Sequence, residues 1–287
     1  MRTPLIAVLG SINMDLVTTT DRRPDPGETV LGNGFTMVPG GKGANQAIAA
    51  SRAGGHVLFL GAIGTDVFAP RLRAVLTESG VDTTGLRTLD GPSGIASIVV
   101  DGTGENSIIV VGGANAGMTD PTPADLDAIA AADILLCQLE VPVPTVAAAI
   151  GHARAHDTTV MLNPSPVQRL APDLWAQVDI AVVNHDEAAH LGDALGPVPH
   201  LVVTLGGDGA RYRGPDRAET TVAGPPVEVV DTTGAGDTFT GALAARWPEG
   251  PAEALRFACV AGSLATTALG ASASIPWRTE IDAALSR

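Results

Sequence analysis

The stretch Asp231-Thr-Thr-Gly-Ala-Gly-Asp237-Thr-Phe-Thr-Gly-Ala242 contains the strongest structural signal in the sequence. It follows an apolar run, and its small residues Gly234, Ala235 and Gly236 open a predicted helix. Unpaired backbone N–H groups and the helix dipole bind anions at such a start. Asp237 would compete with a phosphate for these donors, unless its carboxylate faces a substrate hydroxyl while the N–H groups face the phosphoryl group transferred to it. A glycine-rich turn with an acidic cap is the structural alternative.

Apolar runs alternate with helical stretches along the rest of the chain, which is typical of an α/β fold with a mostly parallel sheet flanked by helices. The predicted strands are Leu5–Leu9, Val57–Ile63, Ile134–Leu139, Thr159–Leu162, Ile180–Val183 and Leu201–Leu205. The predicted helices are Gly43–Ala53, Pro70–Ser79, Thr122–Ala132, Pro144–His156, His185–Leu191, Gly236–Ala245, Ala252–Thr267 and Thr279–Ser286.

Two segments, residues 13–38 and 93–111, interrupt this alternation. The first has β-like pieces around a Pro-Asp-Pro-Gly turn, and the second has the pattern of a hairpin around Asp101-Gly-Thr-Gly-Glu105. Four strands without intervening helices do not easily join a parallel sheet. We therefore expect a small separate sheet that forms a lid on a single domain spanning residues 1–287.

A second glycine-rich stretch, Gly40-Gly-Lys-Gly-Ala-Asn-Gln46, also enters a predicted helix. It is not a Walker A motif, because that motif needs Ser or Thr where Gly43 follows the lysine and a glycine where Met37 stands. The dinucleotide fingerprint is absent as well, since Phe239 stands where the third glycine would follow Gly234-x-Gly236. The alternative for Lys42 is a solvated lysine in a flexible turn.

Polar residues in two further places could contact a sugar. Asn13 and Asp15 lie two apart on a strand-like segment and share one face, where with Asn45 they could form a pocket for hydroxyl groups. A surface strand with two polar residues would show the same spacing. Glu140 follows an apolar run, at the edge of the sheet where open α/β proteins bind ligands.

Asn184 and Glu187 follow the predicted strand Ile180–Val183 and are three residues apart at a helix start. This spacing suits a hydrated Mg²⁺ ion. Helix capping by Asn184 is the alternative.

The composition narrows the possible functions. The formal charge of −14 excludes binding to a nucleic-acid backbone through bulk charge, and Lys42 is the only lysine in the chain. Cys137 and Cys259 lie in apolar runs without metal-ligand spacing, as expected for buried thiols in a reducing compartment. The N-terminal apolar run is too short for a signal sequence, and the uncharged stretch Phe257–Ile275 favours a buried helix and loop over a membrane span. We expect a soluble, cytoplasmic protein.

Together these segments resemble the ribokinase-like (PfkB) family of carbohydrate kinases over nearly the whole chain. The resemblance is carried by Gly10-Ser-Ile-Asn-Met-Asp15, Pro26-Gly-Glu-Thr29, Gly40 to Gln46, Gln138-Leu-Glu140, Asn163-Pro164, Thr204-Leu-Gly206, Asp231 to Asp237 and Ile275-Pro-Trp-Arg278. It implies the three-layer ribokinase-like fold with its small β-sheet lid.

The resemblance also implies roles for individual residues. Asp237 would be the base that orients and deprotonates the attacking hydroxyl, with Gly234, Ala235 and Gly236 as the anion hole. The implied sugar pocket consists of Asn13, Asp15, Gly41, Lys42, Asn45 and Glu140. The implied nucleotide contacts are Asn184, Thr204, Leu205, Gly206, Gly207, Asp208, Gly209, Gly236 and Cys259.

Two metal ions are implied besides ATP. Glu187 would act on Mg²⁺ indirectly, and a K⁺ activator would be held by Asp231, Thr233, Ala265, Ala268, Gly270 and Ser274.

Two departures from the family pattern lie in the implied nucleotide site. Cys259 stands where relatives often have Asn or His, and the segment from Asn184 to Thr204 is short, with room for one helix.

The predicted reaction is ATP-dependent phosphorylation of D-ribose at O5. Three carboxylates around the pocket disfavour a sugar phosphate, and nine aromatic residues in the whole chain disfavour a nucleoside. The alternatives are 2-deoxyribose, another small sugar or a nucleoside, or a catalytically idle sugar-binding regulator. Unpaired strands in the lid predict a homodimer through that sheet.

Overall fold

Thirteen strands make up two sheets in the computed structural model, which describes residues 2–286. The strands are β1 (Leu5–Leu9), β2 (Asn13–Thr19), β3 (Gly34–Gly40), β4 (His56–Ile63), β5 (Leu86–Thr88), β6 (Gly94–Val100), β7 (Asn106–Val111), β8 (Ile134–Cys137), β9 (Thr159–Leu162), β10 (Ile180–Asn184), β11 (His200–Thr204), β12 (Ala210–Arg213) and β13 (Glu219–Val222). The helices are α1 (Lys42–Arg52), α2 (Ala69–Glu78), α3 (Pro123–Ala131), α4 (Val143–Ala155), α5 (Pro172–Trp175), α6 (His185–Leu191), α7 (Ala235–Arg246), α8 (Pro251–Ala265) and α9 (Arg278–Leu285).

The large sheet has the strand order β13-β12-β11-β10-β9-β8-β1-β4-β5. Its strands are parallel from β5 to β11, whereas β12 and β13 are antiparallel additions at one edge. Because the central strands are parallel, their carboxyl ends all lie at one edge, where binding sites of such sheets are found.

Helices cover both faces of this sheet, so the molecule has three layers. Successive side chains of a strand point to opposite faces. In β1, Ile6 and Val8 therefore join the core under α1, α2, α7, α8 and α9, while Ala7 and Leu9 join the core under α3, α4 and α5. These buried apolar residues on both faces explain why β1 is a continuous apolar run.

The helices α1 and α7 pack closely because Gly241 has no side chain. A Cβ atom at Gly241 would come within 2.3 Å of the Gln46 carbonyl oxygen and 2.6 Å of the Ala49 Cβ. This close approach brings the first turn of α1 against the first turn of α7, where the predicted site residues lie.

We predict that Gly241→Ala lowers the free energy of unfolding by about 1–3 kcal/mol, because the added methyl group overpacks the contact between α1 and α7. Urea unfolding measures this effect. The matched control is Gly151→Ala in α4, where an added Cβ would lie 3.7 Å from Gln177. The control should keep or slightly raise the stability, since alanine favours a helix. Equal losses in both variants would contradict the packing explanation.

The small sheet has the order β3-β2-β6-β7. Its β2 and β6 strands are parallel neighbours, and β6 and β7 form the predicted hairpin. The separate four-stranded sheet is thus confirmed, within one or two residues of the predicted boundaries.

The structure adds three strands that the sequence reading missed: β5, β12 and β13. β5 is only three residues long, β12 alternates apolar with charged residues, and β13 is mostly polar and exposed, so none of the three forms an apolar run. The short segment between Asn184 and Thr204 has α6 and a 3₁₀ turn, Gly192–Leu195, as its helical structure. The uncharged stretch is the end of α8 followed by a loop, and within residues 2–286 no helix has the length and apolarity needed to cross a membrane.

Candidate active site

Asp237 lies in the first turn of α7, at the carboxyl edge of the large sheet. The helix starts after Gly234, whose φ of 75° is left-handed and favours glycine. A Cβ at Gly234 would also come within 2.9 Å of the Ala271 Cβ. The turn is closed by the Ala235 N–H donating to the Thr232 carbonyl at 3.2 Å. The following first-turn N–H groups lack intrahelical acceptors and give this end a positive potential.

Two side chains of α1 hold the buried carboxylate of Asp237. Asn45 Nδ2 donates to Oδ2 at 3.1 Å, and Gln46 Nε2 donates to Oδ1 at 2.9 Å. Asn45 Oδ1 is buried without a hydrogen-bond partner in the protein.

Lys42 begins α1 after Gly41, whose φ is 93°. A Cβ at Gly41 would approach the Asn13 nitrogen to 2.9 Å, so only glycine allows the helix to start this close to the chain around Asn13. The backbone N–H of Lys42 donates to Glu140 Oε2 at 3.0 Å. The charge of Asp237, followed by those of Glu140 and Glu187, raises the pKa of Lys42 against the opposing effect of its burial. Lys42 therefore stays an ammonium ion.

Asn13 and Asp15 lie on β2 of the small sheet, next to the residues around Lys42. Burial, together with the charges of Glu140 and Asp237, raises the pKa of Asp15 to about 7. Asn13 is held by Asn115, whose Nδ2 donates to Asn13 Oδ1 at 2.8 Å. The sugar-pocket residues predicted from three separate segments are thus close together in the structure.

We predict a pH-dependent stability difference between the wild type and Asp15→Asn. The folded pKa of about 7 lies above the ordinary aspartate pKa of 3.8, so folding takes up a proton between these pH values. Wild-type stability should fall relative to the variant as the pH rises from about 4 to about 7, and the difference should then stay constant. Urea unfolding at pH 5 and pH 8 tests this expectation. A difference that is the same at both pH values would contradict it.

Two adjoining cavities open at the carboxyl edge. The smaller has a volume of about 130 Å³ and contains Lys42, Gly234, Asp237 and Glu187 in its lining. The larger has a volume of about 900 Å³. Both cavities are lined by Asn184, Thr204 and Gly236. A ligand in the larger cavity could therefore reach the group around Asp237.

All nine predicted nucleotide residues line the larger cavity: Asn184, Thr204, Leu205, Gly206, Gly207, Asp208, Gly209, Gly236 and Cys259. Gly209 has a φ of 91°, and a Cβ there would come within 2.0 Å of the Val222 carbonyl oxygen, so the loop needs glycine. Cys259 Sγ lies 3.6 Å from that same oxygen, and burial raises the thiol pKa to about 11. The Cys259 thiol is therefore a poor nucleophile at neutral pH.

Asn184 and Glu187 form a reciprocal capping box at the start of α6. The Glu187 N–H donates to Asn184 Oδ1, and the Asn184 N–H donates to Glu187 Oε2, each at 2.8 Å. The capping alternative is thus confirmed for Asn184. Glu187 also lines the smaller cavity, with one carboxylate oxygen outside the capping box.

Asp231 ties two loops together near the start of α7. Its Oδ1 accepts hydrogen bonds from the N–H and hydroxyl of Thr233, at 2.9 and 2.6 Å, and its Oδ2 accepts one from the Gly270 N–H at 2.9 Å. Ser274 donates from its hydroxyl to the Ala271 carbonyl at 3.2 Å in the second loop. Over residues 2–286, no group of three or more His, Cys, Asp or Glu side chains is arranged to hold a metal ion.

Sequence reasoning gave no role to four side chains of this region: Gln46, Asn115, Gln138 and Asn163. Gln138 and Asn163 directly follow β8 and β9, so the rule that placed Glu140 at the carboxyl edge also applies to them. No local pattern marks Asn115, which lies in the short 3₁₀ helix Gly113–Gly117 and reaches Asn13 only through the fold.

Comparison with known proteins places the chain among carbohydrate kinases. Residues 3–278 match the pfkB family of carbohydrate kinases. The ribokinase of Bacillus subtilis is 41% identical, over 98% of this chain and 99% of its own length. The deoxyribokinase of Salmonella typhi is 35% identical, over 94% of this chain and 95% of its own. The structure of Arabidopsis thaliana ribokinase complexed with ribose and ATP superposes with a TM-score of 0.93 at 30% identity, covering all of both chains.

Proposed function

The chain belongs to the pfkB family of carbohydrate kinases, and on that premise we propose that it transfers the γ-phosphoryl group of ATP to O5 of D-ribose. The observation that carries this proposal is the placement of Asp237. Its carboxylate lies at a helix N-terminus and lines the smaller cavity together with Lys42, while the adjacent Gly236 lines both cavities. The site thus places a base for a substrate hydroxyl next to hydrogen-bond donors for a phosphoryl group.

The reaction follows from these positions. Ribose lies against Asn13, Asp15, Asn45 and Glu140, and ATP occupies the larger cavity. Asp237 orients the O5 hydroxyl and takes its proton as O5 bonds to the γ-phosphorus. The bond from phosphorus to the bridging oxygen breaks, and ADP leaves with that electron pair. Lys42 and the first-turn N–H groups of α7 face the charge on the transferred group, which is the main contribution a protein makes to phosphoryl transfer.

Two cations fit this site. Mg²⁺ would neutralise the phosphates of ATP, and Glu187 could hold its water ligands with the oxygen that the capping box leaves free. K⁺ would stabilise the loops beside the α7 N-terminus, held by oxygens of Asp231, Thr233, Ala265, Ala268, Gly270 and Ser274. Asp231 already joins these two loops, which supports the placement of a cation between them.

Ribose is the substrate that the charges favour. A sugar phosphate would meet the carboxylates of Asp15, Glu140 and Asp237 with mainly Lys42 to offset them. 2-Deoxyribose is the second candidate, because the deoxyribokinase relative is 35% identical. A coupled assay of ADP release with ribose, 2-deoxyribose, ribose 5-phosphate and inosine, in K⁺ and in Na⁺, tests the choice. The highest kcat/KM for ribose and a K⁺-dependent rate support the proposal, and ADP release independent of any sugar overturns it.

A homodimer through the small sheet completes the proposal. Large apolar side chains are exposed on its outer strands, including Phe35, Met37 and the run Ile108–Val111. Exposed apolar patches and open strand edges mark interaction surfaces. Light scattering should give twice the monomer mass, and a monomer at micromolar concentration would refute this assembly.

The use of ATP and the unpaired thiols of Cys137 and Cys259 favour the cytoplasm as the site of action.

A further inference from the structure

A chain of buried side-chain amides runs from the central sheet to Asp237. Asn163 Nδ2 donates to the Val182 carbonyl of β10 at 2.9 Å. Gln46 Nε2 donates both to Asn163 Oδ1, at 3.0 Å, and to Asp237 Oδ1, at 2.9 Å. Gln138 Nε2 donates to Gln46 Oε1 at 2.6 Å. The contacts thus join the ends of β8, β9 and β10 to the first turn of α7.

One backbone carbonyl determines the orientation of every amide in this chain. The Val182 carbonyl can only accept, so Asn163 must turn its NH₂ group toward it and its oxygen toward Gln46. Gln46 must then present its NH₂ group to Asn163 and to Asp237, with its own oxygen toward Gln138. Gln138 completes the sequence by donating to that oxygen. Because Gln46 is 0% exposed, its amide cannot exchange these partners for solvent.

From this geometry we infer that Gln46 is a positioning residue for Asp237, an inference that rests on the proposed kinase function. Gln46 lies outside the lining of both cavities, so it acts on the carboxylate and not on the ligands. Its N–H fixes Asp237 Oδ1 while Asn45 fixes Oδ2. The remaining lone pairs are thereby aimed at the substrate hydroxyl.

The test compares three substitutions of glutamine by methionine, which has a similar length but no N–H donor. Gln46→Met should lower kcat about 10- to 100-fold with a nearly unchanged ribose KM, since a hydrogen bond to a charged group is lost. Gln138→Met removes only the anchor of Gln46 and should lower kcat less, by about 3- to 10-fold. The control Gln177→Met lies far from the site, where the amide donates to the Asp173 carbonyl, and should match the wild type.

The division of the effect between kcat and the ribose KM distinguishes positioning from simple loss of structure. A misaligned base slows the chemical step of ribose that is already bound, whereas a disrupted site also weakens ribose binding. Ribose binding by calorimetry and thermal unfolding are measured on every variant.

The inference is overturned if Gln46→Met keeps the wild-type kcat. It is also overturned if Gln46→Met loses ribose binding and stability together with kcat, while Gln138→Met keeps the wild-type kcat. The variants are compared on whichever sugar the wild type phosphorylates. A failure of ribose as substrate therefore shows in the wild type, and a failure of this inference shows only in the variants.

Discussion

Asp237→Asn is expected to lower kcat by about 10²–10⁴-fold, the range that general-base catalysis contributes. Asparagine has the size of aspartate but cannot accept the proton of the attacking hydroxyl. Ribose affinity should change little, because Asn13, Asp15 and Glu140 remain. The measurements are steady-state kinetics with saturating ATP and calorimetric binding of ribose.

The control for Asp237→Asn is Asp127→Asn, a change of the same kind at an exposed position of α3. Both variants should keep the wild-type content of secondary structure by circular dichroism. Near-normal turnover in Asp237→Asn would remove Asp237 from its assigned role as base, whatever the affinity for ribose.

Lys42→Met is expected to lower kcat/KM for ATP by about 10²–10³-fold, the effect of removing one electrostatic contact to the charge that develops in the transition state. Lys42 is flanked by the charges of Asp237, Glu140 and Glu187. Without its ammonium ion, these carboxylates would repel the incoming phosphates.

Lys42→Arg tests whether a positive charge alone at this position is sufficient for activity. The planar guanidinium is wider than an ammonium ion and must fit beside a cavity of about 130 Å³. We expect its kcat/KM for ATP to fall close to that of Lys42→Met. Arg71→Met, an exposed loss of charge in α2, serves as the control and should match the wild type. Wild-type activity in Lys42→Arg would show that only the positive charge matters.

The central sheet was predictable because its strands are buried on both faces and appear in the sequence as apolar runs. The small sheet was predictable from four β-like segments without helices between them. The edge strands β12 and β13 were not. The alternation in β12 is a weaker signal than an apolar run, and β13 is mostly polar and exposed.

The site was predictable where glycine forces the backbone into a special conformation. The left-handed Gly41 and Gly234 start the helices that carry Lys42 and Asp237, and both stretches stand out in the sequence. The contacts of Gln46 were not predictable, because its partners Gln138 and Asn163 are distant in sequence and meet it only at the carboxyl edge of the folded sheet. The role of Asn184 was not predictable either, because a capping residue and a ligand-binding residue show the same pattern at the start of a helix.

Identification of the reaction product tests whether the enzyme phosphorylates O5 of ribose. The enzyme is incubated with ATP, Mg²⁺, K⁺ and ribose carrying ¹³C at position 5, and the product is examined by ³¹P and ¹³C NMR. We predict equimolar ADP and a phosphomonoester whose phosphorus couples to C5 of ribose. Phosphate on another carbon, or release of inorganic phosphate with unmodified ribose, would contradict the proposed phosphorylation of O5.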